Sequence, residues 1–111
     1  MRQNLNIITL GVSDLKKSLE FYEEGLNWKK SKASKEQIAF FDVGGIVLSL
    51  FSKSALAKDA NLSDNGHGFS GITIAHNTKS ENEVDEVLEK VKSLGAEIIK
   101  QAEKVDWGGY S

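Results

Sequence analysis

The stretch VSDLKKSLEFYEEGLN, residues 12–27, decides the fold of this chain. Its apolar side chains recur every three or four residues, at Leu15, Leu19, Tyr22 and Leu26. This spacing is typical of one face of an α-helix. Ser13 is a suitable N-cap, and Asp14 places a carboxylate at the positive end of the helix dipole. Asn27 is the expected stop because asparagine tolerates the left-handed conformation. The stretch therefore predicts a capped amphipathic helix.

The segments on both sides of this helix are strand-like. Residues 4–12 are mostly apolar or β-branched, and they precede the helix. Three further segments follow it, over 28–33, 37–43 and 46–52. Gly44-Gly45 joins the last two and is a typical two-residue hairpin turn. The order strand, helix, three strands is one βαβββ module.

The same order restarts in the second half of the chain. Residues 69–76 are strand-like, Ser80 and Glu83 have the spacing of a capping box, and Gly95 is the expected end of the helix. Between these signals lies a second apolar stripe, made of Val84, Val87, Leu88, Val91 and Leu94. Residues 97–102 are again strand-like. The repeat predicts a second module that lacks its closing strands before residue 111.

The length of 111 residues predicts one domain, and the order of its strands and helices makes it α+β, with module one at 4–52, a linker at 53–68 and module two at 69–111. A helical turn is expected within the linker, around 55–58. The chain has no cysteine, which excludes disulfides and thiolate chemistry. Its net charge of −2 is evenly spread, so we expect no nucleic-acid partner. No apolar run is long enough for a membrane span, and we expect a cytoplasmic protein.

Three motifs resemble the vicinal-oxygen-chelate superfamily, which contains glyoxalases, bleomycin-resistance proteins and extradiol dioxygenases. The first is the helix signature Val12-x-Asp14-x-x-x-Ser18-x-x-Phe21-Tyr22-x-x-x-Leu26. The others are the strand at 71–75, GITIA, and the stretch at 107–110, WGGY. The resemblance implies two tandem βαβββ modules that form a concave mixed sheet.

In metal-dependent members of this family, the first and last strands of each module supply the metal ligands. Carried over by register, three of these positions fall on Ile7, Ser49 and Gly71, and the fourth lies beyond the last residue. Isoleucine and glycine have no donor atom, and a neutral hydroxyl is a poor ligand. We therefore expect no metal and no cofactor. His67 is expected in a solvated loop, and His76 at a strand end in a structural role.

A concave sheet without a metal still provides a surface for a small molecule. Strand parity and the aromatic residues near position 111 give the candidate ligand-binding residues, which are Thr9, Val47, Ser49, Phe51, Thr73, Trp107 and Tyr110. Trp107 and Tyr110 either stack on a planar ligand or close the core or an interface; the sequence favours neither.

Three functions remain open from the sequence. The first is a metal-free module that sequesters or senses a small apolar or aromatic molecule, as bleomycin-resistance-like relatives do. The alternative is a metal-dependent lyase, isomerase or dioxygenase of the glyoxalase family that uses a displaced site around His67, His76 or Glu residues. The third is a dimerisation or protein-interaction unit. We also expect a homodimer, since an unfinished sheet near residues 107–111 exposes an unpaired edge.

Overall fold

A computed structural model describes residues 1–111 as two compact units, 1–67 and 68–111. The first unit contains strand β1 (Ile7–Val12), helix α1 (Leu15–Leu19), strands β2 (Ile38–Asp42) and β3 (Val47–Ser52), and helix α2 (Lys53–Asp59). The second contains helix α3 (Glu81–Ser93) and two short strands, β4 (Lys104–Val105) and β5 (Gly109–Tyr110). Each of the three α-helices is too short or too polar to span a bilayer.

The first unit is built on a three-stranded mixed sheet with the order β1-β3-β2. β1 runs parallel to β3, in a register that pairs Thr9 with Ser49. β2 runs antiparallel to β3 and pairs Phe40 with the same Ser49. Gly44 and Gly45 both have positive φ in the turn between β2 and β3, which confirms the predicted hairpin. The α+β class and the mixed sheet are confirmed; the arrangement of two tandem modules is not.

One face of this sheet carries the core. Ala39, Phe41, Leu48 and Leu50 are buried, and the side chains that pack against them are Leu10, Val12, Leu15, Leu19 and Tyr22. The ring centroids of Tyr22 and Phe41 lie 5.7 Å apart. Three of the four predicted helix-stripe positions therefore face the core, because their spacing matches the helical repeat.

The first helix differs from the prediction in its N-cap and in its second half. Its N-cap is Asp14, whose carboxylate accepts the N–H of Lys17 at 3.1 Å, so the prediction of Ser13 is wrong. The carboxylate reaches that backbone donor directly and acts as the cap itself. After Leu19 the helix widens into a π-helical segment, Glu20–Gly25. Asn27 has φ 61, as expected for the helix stop.

The predicted strand over 28–33 is absent. Ser31 donates its N–H to the carbonyl of Phe40 at 2.7 Å, but this contact does not continue into a ladder. The hydroxyl of Ser34 accepts the N–H of Phe40 at 2.9 Å. The side chain of Ser34 thus accepts the N–H of Phe40 at the open edge of β2. A further strand would need that N–H for its own ladder.

In the second unit, α3 confirms the predicted helix. The hydroxyl of Ser80 accepts the N–H of Glu83 at 3.1 Å, and Gly95 follows the helix with φ 98. The carboxylate of Glu83 accepts the N–H of Lys79 at 2.9 Å, one residue earlier than a standard capping box. The stripe along α3 is half-buried.

The predicted strands at 69–76 and 97–102 are wrong. Gly71 has φ 80, which interrupts an extended run, and the second unit offers no neighbouring strand to either segment. A β-strand needs such a partner because its ladder is made of hydrogen bonds to a neighbouring strand. The unit instead forms its hairpin later, where β4 pairs with β5. The predicted turn at 55–58 lies inside α2.

Candidate functional site

The sheet of the first unit has a second surface opposite the core, which we call the distal face. Strand parity and register place on it nine residues in three cross-strand rows. The rows are Ile7, Val47 and Asp42; Thr9, Ser49 and Phe40; and Gly11, Phe51 and Ile38. Most of these side chains are apolar, and two carry hydroxyl groups. A surface of this composition suits a small organic molecule.

Ser49 occupies the centre of the distal face, on the middle strand. It is fully buried, and its Oγ has no hydrogen-bond partner. An unsatisfied buried hydroxyl costs about 1–3 kcal/mol. Most buried polar groups in folded proteins are paired, so an unpaired one calls for an explanation, such as a bound water or ligand. Ser49 can either donate or accept this bond.

One end of the distal face lies under the start of α2. A Cβ added to Gly11 would lie 3.1 Å from the Cα of Lys53, so a larger residue would fit only if α2 moved slightly away. The ammonium of Lys53 lies 3.2 Å from a carboxylate oxygen of Asp64 and donates to the carbonyl of Gly66 at 2.9 Å. The cation at this end of the face is therefore already paired.

Four of the seven predicted ligand-binding residues come together on the distal face: Thr9, Val47, Ser49 and Phe51. The other three belong to the second unit. Thr73 is exposed in a segment without secondary structure. Trp107 is 75% exposed in the turn between β4 and β5. The role of Thr73, Trp107 and Tyr110 in ligand binding stays a prediction.

Tyr110 lines a cleft of about 750 Å³ within the second unit, together with His76, Ser80 and Lys104. Its hydroxyl donates to a carboxylate oxygen of Asp85 at 2.8 Å. That hydrogen bond raises the pKa of Tyr110, because the bond exists only while the phenol keeps its proton. Partial burial and the negative charges of Asp85 and Glu81 raise it further. The hydroxyl of Tyr110 is thus already hydrogen-bonded to a residue of α3.

The positions that the family resemblance assigns to metal ligands do not form a donor set. Ile7 is 53% exposed and offers only hydrocarbon. Gly71 has no side chain, and Ser49 offers one neutral hydroxyl. The chain has no group of three or more His, Cys, Asp or Glu residues that could hold an ion. His67 and His76 are both exposed, and they belong to different units.

Sequence reasoning missed three contributors to these surfaces. β2 places Ile38, Phe40 and Asp42 on the distal face, and the Gly44-Gly45 hairpin register contained the signal that would have found them. The Lys53–Asp64 ion pair and the Tyr110–Asp85 hydrogen bond join residues distant in sequence. No local sequence pattern predicts such pairs.

Comparison with known proteins identifies relatives of this chain. Residues 4–111 match the family model described as Glyoxalase/Bleomycin resistance protein/Dioxygenase superfamily. The chain is 32% identical over 117 residues to the fosfomycin resistance protein FosX of Listeria monocytogenes, covering all of this chain and 80% of that protein. It is also 32% identical over 97 residues to the metallothiol transferase FosB of Lysinibacillus sphaericus, covering 87% of this chain. That match spans 63% of FosB, less than two thirds of its length.

Solved structures share the fold. A glyoxalase-related enzyme from Fulvimarina pelagi superposes with a TM-score of 0.85 and 28% identity, over 98% of this chain and 77% of that one. A mutant of FosX from Listeria monocytogenes, complexed with Mn(II) and 1S,2S-dihydroxypropylphosphonic acid, gives a TM-score of 0.60 and 26% identity. The superposition covers 96% of this chain and 75% of FosX.

Proposed function

Since this chain belongs to the Glyoxalase/Bleomycin resistance protein/Dioxygenase superfamily, we propose that it acts on a small organic molecule as an enzyme of the glyoxalase type. Two relatives support this proposal, because one is named as a resistance protein against the small molecule fosfomycin and the other as a transferase. They favour the enzymatic alternative over the metal-free binding module that the sequence alone placed first.

One observation in the structure carries the proposal, namely the unpaired hydroxyl of Ser49. It lies at the centre of the distal face, between Thr9 and Phe40 in the same cross-strand row. An apolar surface with a single unsatisfied polar atom at its centre has the properties of a small-molecule site. The proposal therefore places the substrate on the distal face.

A metal ion does not fit the residues of this chain at the positions considered. The FosX structure holds Mn(II), and the FosB name implies a metal as well. Here, Ile7 and Gly71 provide no donor atom, and one serine hydroxyl does not hold a divalent cation. We therefore derive no reaction step through a metal.

The second candidate function is metal-free binding, in which the chain sequesters or senses its ligand without transforming it. The same three residues, Ile7, Ser49 and Gly71, favour it, because they replace charged or imidazole ligands with apolar or neutral groups. The two candidates place the small molecule on the same surface. They differ in whether the molecule is turned over.

An assay of turnover with and without metal distinguishes the two candidates. The purified protein is incubated with fosfomycin and either water or a thiol as nucleophile, and separately with a methylglyoxal hemithioacetal. Each reaction is run with Mn(II) and with a chelator. Turnover above the background of heat-unfolded protein supports the enzyme. Absence of turnover, together with ligands that raise the melting temperature, supports binding alone.

We also propose that the protein is a cytoplasmic homodimer that binds neither nucleic acid nor membranes. Apolar side chains in the second unit support an interface, since Phe69 is 81% exposed and Trp107 75% exposed. Ile72 and Ile74 are exposed on the same segment as Phe69. Large exposed apolar patches commonly mark surfaces that another chain covers.

A further inference from the structure

We infer that the molecule on the distal face is uncharged, with an apolar body and one polar atom that hydrogen-bonds to Ser49. This inference rests on the proposed function and specifies its substrate class. It separates this chain from FosX, whose structure holds a phosphonic acid. Three features of the face favour such a molecule: its polarity, the unpaired hydroxyl and the charges nearby.

The distal face provides mainly hydrocarbon contacts. Val47 and Phe51 flank Ser49 along β3, and Phe40 lies beside it on β2. All three are half-buried. Thr9, the other neighbour of Ser49, is exposed and adds a second hydroxyl group. A ligand that fills this surface is therefore mostly apolar, because apolar surface is stabilised by apolar contact.

Ser49 supplies the specific polar contact. Its Oγ is buried without a partner, so a ligand atom that pairs with it satisfies a group left unsatisfied in the free protein. The side chains around it are partly open to solvent, since Thr9 is exposed and Phe40 and Phe51 are only half-buried. A small ligand reaches the hydroxyl by displacing them. One hydroxyl makes only one or two such bonds, which suits a carbonyl, alcohol or phenol.

The charges around the face do not suit an anion. Lys53, the cation at one end, is paired with Asp64 and with the carbonyl of Gly66. Asp42 lies at the other end and repels negative charge. A phosphonate placed here would lose hydration without gaining a cationic partner, which is strongly unfavourable. The site therefore discriminates against the ligand class seen in FosX.

Three probes of matched size test the inference: naphthalene, 2-naphthol and naphthalene-2-phosphonic acid. Their binding to the full chain is measured by fluorescence or calorimetry. We expect 2-naphthol to bind about two- to tenfold more tightly than naphthalene, as one net hydrogen bond allows. The phosphonate should bind at least about tenfold more weakly than 2-naphthol, because its charge is buried without a partner.

Two serine variants connect this preference to the proposed contact. Ser49→Ala should reduce the affinity for 2-naphthol to that for naphthalene and leave naphthalene binding unchanged. Ser52→Ala is the matched control on the same strand, because parity places Ser52 on the core face, and its hydroxyl already bonds to that of Ser54 at 3.0 Å. This control should change no affinity.

Several outcomes overturn the inference. The inference is overturned if the phosphonate binds as tightly as 2-naphthol or more tightly. It is also overturned if Ser49→Ala loses affinity for naphthalene and for 2-naphthol in equal proportion. Binding of none of the probes also overturns it. The probe comparison on the unmodified chain decides the charge preference even if Ser49→Ala fails to fold. Turnover of fosfomycin in the assay above would uphold the proposed function while rejecting an uncharged substrate, so the two failures are distinguishable.

Discussion

Replacing Ser49 with alanine should make the protein more stable in the absence of ligand. The substitution removes a hydroxyl that is fully buried and has no hydrogen-bond partner. Leaving such a group unsatisfied costs about 1–3 kcal/mol, and alanine keeps the Cβ while filling nearly the same space. We expect a net gain of about 1 kcal/mol in the free energy of unfolding, because the lost oxygen also removes some packing contacts.

Urea unfolding followed by circular dichroism measures this change. Tryptophan fluorescence gives a second probe of the first unit, because Trp28 packs 6.0 Å from Phe41, between ring centroids, and loses that contact on unfolding. The urea concentration at the unfolding midpoint should rise, while the dependence of the unfolding free energy on urea stays unchanged. This combination identifies a change in stability rather than in the surface exposed on unfolding. Ser52→Ala is the control, and it should shift the free energy by less than about 0.5 kcal/mol, as is usual for accessible sites.

A loss of stability in Ser49→Ala of more than about 0.5 kcal/mol would refute this reasoning. It would mean that the hydroxyl already has a partner in the free protein, such as an ordered water. The distal face would then contain a satisfied polar group. The structural support for a ligand at Ser49 would be lost.

Four further predictions concern other parts of the chain. Leu19→Ala should cost about 2 kcal/mol in the free energy of unfolding measured by urea titration, because its side chain packs on the core; a change below about 0.5 kcal/mol would contradict the assigned helix face. Ser80→Ala should cost about 0.5–2 kcal/mol by the same method through the loss of its cap; no effect would show that α3 does not need the cap. Asp85→Ala, which removes the acceptor, should lower the raised pKa of Tyr110 towards its ordinary value, seen as phenolate absorbance at lower pH; an unchanged titration would exclude the hydrogen bond as its main cause. Trp107→Ala should weaken the proposed homodimer in sedimentation at micromolar protein; a monomer before substitution would reject the dimer, and an unchanged dimer would reject this interface.

Elements that depend on local patterns could be predicted from the sequence. The stripe through Leu15, Leu19 and Tyr22 contains its own periodicity, and the Gly44-Gly45 turn determines both the hairpin and its register. Within the first unit, strand parity was sufficient to place Ser49 on the face opposite the core. Each inference required information from only a few neighbouring residues.

Elements that depend on a distant partner could not be predicted in the same way. The segments 28–33 and 69–76 have strand-like composition, but composition does not say whether another strand will accept their hydrogen bonds. In the first case, Ser34 occupies the N–H of Phe40. In the second, Gly71 turns the chain with a positive φ. The Lys53–Asp64 pair, which affects the charge of the distal face, was missed for the same reason.

The residues of this chain and the names of its relatives support different parts of the proposed function. Similarity at 32% identity establishes the family, and the names of FosX and FosB favour chemistry on a small molecule. Yet family members share a fold more readily than a reaction. Ile7 and Gly71 provide no metal donor, while Ser49 offers a neutral hydroxyl on an apolar surface whose nearby cation is already paired. The substrate of this chain should therefore differ from a phosphonate even if the chain is an enzyme, since its binding surface has the polarity of an uncharged molecule.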